Sequence, residues 1–98
     1  MKQARVARQV ETTTNEIFSV QEELRTLAEQ LAVWSDMRDD LHMRSVVSET
    51  PQAGADLAGV ERQLRIAVEA VEAKRLRLGE LERLLELLMS EWEPEVVL

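Results

Sequence analysis

Apolar residues recur along this chain at alternating steps of four and three, and that spacing constrains the fold more than any other feature. In the first half the stripe runs Val6, Val10, Thr13, Ile17, Val20, Leu24, Leu27, Leu31, Trp34, Arg38, Leu41, with nine of the eleven positions apolar. A mean period near 3.5 residues keeps one face turned toward a partner helix, whereas a strand would need a period of two. The second half repeats the pattern through Leu57, Val60, Leu64, Ala67, Val71, Lys74, Leu78, Leu81, Leu85, Leu88 and Trp92, where only Lys74 is not apolar. Two long helices are expected, from about residue 3 to 43 and from about 55 to 92, each roughly 60 Å long at 1.5 Å per residue.

The segment between them, residues 44–54, holds Pro51 and Gly54 beside Ser45, Ser48 and Thr50, and reads as the turn. Ser48 or Thr50 would cap a helix beginning at Pro51, and Asp56 would cap a later start. Pro94 stops the second helix and leaves a short tail, residues 93–98. Three glycines and two prolines are too few to turn a multi-stranded sheet. With 98 residues there is room for one small domain. The expected fold is therefore all-α, a single antiparallel two-helix coiled-coil hairpin. Thr13 lies within Glu11-Thr-Thr-Thr-Asn15, a stretch of poor helix formers, so the residues before it are expected to fray or to form a separate short helix.

A two-helix seam walls each apolar residue on one side only, and this chain carries apolar residues beyond its seams. Ile66, Leu84, Leu87 and Met89 lie beside the second stripe and, with Leu81, Leu88 and Trp92, form a broad apolar face expected to bind a partner. The economical cover is a second copy, giving a homodimeric four-helix bundle, and another protein is the competing occupant. Small residues beside the first stripe, Ala7, Ala28 and Ser35, permit close helix approach. Both tryptophans fall on the stripes and read as core plugs.

The net charge of −7 works against nucleic acid as the main partner, because a phosphate backbone calls for the opposite sign. Charge is unevenly spread: Lys2, Arg5 and Arg8 form a basic arm without an acid among them, and Glu80, Glu82, Glu86, Glu91, Glu93 and Glu95 crowd the other end. Antiparallel pairing sets these opposite signs side by side. Arginine outnumbers lysine ten to two, a compositional hint of a bacterial source.

Nothing here points to catalysis. Without cysteine there is no disulfide, thiolate metal site or sulfur nucleophile. His42 is the only histidine, the serines have no base beside them, and no glycine-rich phosphate cradle is present. Asp36, Asp39 and Asp40 form the densest acid cluster of the first half, but they fall on outer positions around Arg38, as a solvated face does. No metal, cofactor or catalytic residue is expected. No run of about 18 apolar residues marks a membrane span, and the first residues lack a secretory signal's apolar core. The reading is a cytoplasmic, non-enzymatic interaction module, an adaptor, regulator or chaperone-like hairpin. It acts through the apolar face of its second helix and its acidic end.

Two alternatives stand beside it. The size and two-helix layout resemble the small secreted hairpins that carry a Trp-x-Gly turn, which implies a substrate of a specialised bacterial export system. Here the corresponding Trp34-Ser-Asp36 lies inside the first helix. The other alternative is a regulator linked to nucleotide or nucleic acid through Lys2, Arg5 and Arg8.

Overall fold

The structure, a computed structural model, describes residues 2–92. It is all-helical: α1 spans Lys2–Ser48, α2 spans Pro51–Glu91, and no strand occurs among the described residues. Both helices are longer than the sequence predicts, and the connection is two residues, Glu49 and Thr50, instead of the expected eleven at 44–54. The reason is local. Thr50 Oγ1 accepts a hydrogen bond from the Ala53 amide at 3.2 Å, so Thr50 is the N-cap and Pro51, which has no amide hydrogen to satisfy, is the first helical residue. Of the three candidate caps, Thr50 is the one used. Ser48 instead donates its hydroxyl hydrogen back to the Arg44 carbonyl at 2.6 Å and remains inside α1.

Glu49 closes α1. Its amide donates to the Ser45 carbonyl at 3.0 Å while its backbone adopts the left-handed conformation, with φ at 48°. Glycine is the usual residue in that place, because a Cβ costs energy there. Glu49→Gly is expected to raise the unfolding free energy by about 0.5–1 kcal/mol, read from urea denaturation. A loss of stability would show that the Glu49 side chain contributes more than its backbone costs.

The helices contribute to two compact units. Unit 1 joins the start of α1, up to Glu23, to α2 from Lys74 onward; unit 2 is Leu24–Ala73. Within unit 1 the helix segments run antiparallel, since Glu16 pairs with Arg77 and Glu23 with Lys74. Its seam is the drier of the two: Val6, Thr13, Ile17, Val20, Leu81 and Leu88 are buried, with Val10, Leu78 and Leu85 partly open. The Thr-rich stretch does not break α1, contrary to expectation. Val6 is 3% exposed and Thr13 5%, so burial of the residues around that stretch offsets its weak helix propensity.

Unit 2 is also an antiparallel pair, with Trp34, Met37 and Leu41 beside Val60 and Gly59. Its seam is wetter. Val60, Ala67 and Val71 are buried, while Leu24, Leu27, Leu31, Trp34, Leu41, Leu57 and Leu64 remain partly open. Among the stripe positions the exceptions are Arg38 and Trp92, both exposed. Arg38 turns its guanidinium outward to Asp39, at 3.0 Å, keeping its charge in water. Trp92 was expected as a core plug; it lies one residue beyond α2 at 39% exposure. The Glu16–Arg77 register sets it level with the first residues of α1, so little of α1 is left to cover it.

Candidate interaction site

The residues expected to bind a partner separate in the structure. Leu81 and Leu88 are 2% and 7% exposed and belong to the seam of unit 1, so they support the apolar face from beneath. Leu84 and Leu87, 44% and 64% exposed, are three residues apart on one flank of α2 and form its surface. Met89 is exposed too, but at 100° per residue it lies on the far side of the seam from Leu87. Ile66 belongs to unit 2. The apolar face of the sequence reading thus reduces, in unit 1, to Leu84 and Leu87 with Trp92 toward the helix end.

A shallow hollow of about 400 Å3 adjoins this face. Leu84 and Leu88 contribute its apolar part, and Arg5, Arg8, Gln9 and Thr12 come from α1. Thr13, the buried polar residue of the seam, also borders it. Glu16 at its edge is neutralised by Arg77 at 2.9 Å, which also bonds Glu80 at 3.3 Å. The hydrogen bond to Glu16, then that to Glu80, push the Arg77 pKa above its ordinary value and hold the guanidinium charged. Among the described residues the basic arm makes no ion pair with Glu80, Glu82, Glu86 or Glu91; Glu93 and Glu95 of the acidic end and the tail they begin lie outside the described residues. Among the described residues, the ion pairs between helices are Glu23–Lys74 and Glu16–Arg77, and no ion pair takes up Lys2, Arg5 or Arg8. Two guanidinium groups without an ion pair among the described residues therefore border a hollow to which Leu84 and Leu88 give an apolar side.

The acid cluster of α1 is divided among basic neighbours, Asp39 with Arg38 and Asp40 with Arg44 at 3.0 Å. No group of three or more His, Asp or Glu side chains among the described residues is arranged to hold a metal ion. His42 is exposed, and no described helix is long and apolar enough to cross a membrane.

A second surface was not anticipated. On α1 the flank that carries Glu16 and Glu23 continues at steps of three and four through Thr26, Gln30, Val33 and Met37. On α2 the flank that carries Arg77 runs back through Ala73, Ala70, Ile66, Gln63 and Gly59. Between Glu23 and Asp40 on one helix, and between Asp56 and Arg77 on the other, this flank carries no charge, in a chain that is 32% charged. Val33, Ile66 and Met37 stand out from it at 58%, 54% and 43% exposure. Two hollows lie along it, of about 630 and 490 Å3; Trp34 and Gln63 border both, Glu29 borders the larger and Asp56 the smaller. The other flank of unit 2 is different in kind, with Arg25, Asp39, Glu61, Arg65, Glu72 and Arg75 among its residues. In the sequence this flank is marked by a gap in charge at its heptad positions and not by leucines.

These features define an all-α protein of two long helices with exposed apolar flanks. No protein family, curated protein or solved structure matches the chain.

Proposed function

We propose that this protein is a non-enzymatic protein–protein interaction module whose unit 1 receives a helix of another protein along the Leu84–Leu87 flank of α2. The observation that carries the reading is that the exposed Leu84, with Leu87 one turn on, faces Arg5 and Arg8 across a shallow hollow. Apolar contacts anchor a docked helix at i, i+3 and i+4 spacing, and rim charges set its orientation and association rate. Two arginines at the rim favour a partner helix that is apolar on one face and acidic along its border. Glu80 and Glu91 bracket the two leucines along the same flank, and Glu82 and Glu86 lie on the opposite side of α2, so an acid-bordered helix is repelled from registers displaced along or around α2.

The test is affinity capture from the native extract with the full chain, comparing wild type with the double variant Leu84→Glu/Leu87→Glu. Both side chains are exposed, outside the buried seam, so the variant is expected to keep its helicity. A partner held by the wild type should be lost by this variant and weakened at high salt by Arg5→Gln/Arg8→Gln. Equal retention by the leucine variant overturns the assignment of the surface.

A further inference from the structure

We infer that a second copy of this chain docks on the uncharged flank of unit 2, forming a two-fold four-helix bundle around Trp34. This surface differs from the Leu84–Leu87 flank, and its assignment does not depend on the partner proposed there. Four observations converge on it. The flank positions are uncharged on both helices over the same stretch, with Glu29 and Asp56 at the edges of its hollows, whereas the opposite flank mixes both signs. A surface with so little charge meets its own copy with little like-charge repulsion, and it offers little to steer a strongly charged partner.

The second observation is incomplete burial. Trp34 is not fully covered by its own chain, and the seam leucines around it share that condition, so a second surface against them would finish their burial. Thirdly, the hollows on either side of Gln63 are open: a Cβ built on Gly59, which borders one of them, would meet nothing within 4 Å. Exposed side chains of the size of Val33 and Ile66 are the knobs such holes accept, and both lie on the same flank.

The fourth is exposed apolar surface: Val33, Ile66 and Met37 stand out from the flank at 58%, 54% and 43% exposure. A homotypic contact over Val33, Met37 and Ile66 removes apolar surface from water on both copies at once, and two-fold symmetry doubles every contact. Gln30 and Gln63, the polar residues midway along the flank, supply amide groups that can pair across the axis and fix the register.

The experiment is the mass of the full-length protein in solution by sedimentation equilibrium, for wild type and for Val33→Lys/Ile66→Lys. Wild type is expected to be a dimer at micromolar concentration. The double variant places four lysines in the interface and should weaken the dimer at least 100-fold, with its far-ultraviolet helicity retained. Leu84→Glu/Leu87→Glu should leave the dimer intact, which separates this surface from that of unit 1. A monomeric wild type, or a dimer that survives the lysines, overturns the inference. Should the lysine variant lose its helicity, Gln63→Cys decides the matter, because the chain has no other cysteine. Mild oxidation should link this variant into covalent dimers, while Glu82→Cys on the other flank of α2 should not; failure of Gln63→Cys to cross-link overturns the placement.

Discussion

Leu81→Ala is expected to lower the unfolding free energy by about 2.5–4 kcal/mol, the largest effect of any single truncation in this protein. Leu81 is the most completely buried large side chain, 2% exposed, and it lies in the drier seam, that of unit 1, among Ile17, Thr13 and Leu88. Removing its isobutyl group forfeits the transfer free energy of the lost carbons and leaves a cavity that two rigid helices close only in part. Total stability for a chain of this size is of the order of 5–10 kcal/mol, so about a quarter or more of it rests on this one contact set. Leu87→Ala provides the comparison, because the same atoms are removed from a side chain that is 64% exposed. That change should cost under about 0.5 kcal/mol. Urea denaturation of both variants settles the point: equal losses would mean that Leu81 is not the centre of the seam.

The contrast between these two leucines also shows what was legible in the amino-acid order. Position on the stripe predicts burial well. Leu81 and Leu88 fall on it and are buried, while Leu84 and Leu87 fall off it and are exposed. Grouping all four into one docking face mixed two environments that the periodicity already separates. The exceptions have physical causes that periodicity does not carry. Arg38 sits on the stripe but its long stem lets the charge reach water, and Trp92 sits on it where α1 offers almost no partner.

The turn was the least legible element. A glycine after the last helical residue is the usual sign of a helix end, and here that place is held by Glu49 in a left-handed conformation that glutamate seldom adopts. The two-residue connection is imposed by the helix pairing of unit 2 together with the Thr50 cap. Gly54, which suggested a longer loop, lies inside α2 with its amide bonded to the Thr50 carbonyl at 3.2 Å. The uncharged flank of unit 2 was legible in principle, but only as an absence, and only once the heptad positions on both helices are set side by side in antiparallel order.

Hydrogen exchange should separate the two units by about two orders of magnitude in the dissociated protein. An amide exchanges when its helix opens, and the free energy of opening follows the apolar contacts that opening breaks. Unit 1 holds six buried seam residues, among them Val6, Ile17, Val20, Leu81 and Leu88, so its central amides should exchange only through global unfolding. Unit 2 has three, Val60, Ala67 and Val71, and the leucines between them already touch water. In the dimer a second copy covers that region, and protection should be comparable along both helices. In Val33→Lys/Ile66→Lys the cover is removed, and amides at residues 24–37 and 59–71 should lose about 100-fold in protection, close to 2.8 kcal/mol. Amides at residues 6–20 and 78–88 should change by less than about tenfold, since their opening free energy rests on the seam of unit 1. Loss spread evenly over both units would mean that the helices open as one cooperative body, and that the wet seam of unit 2 is stable without a second copy against it.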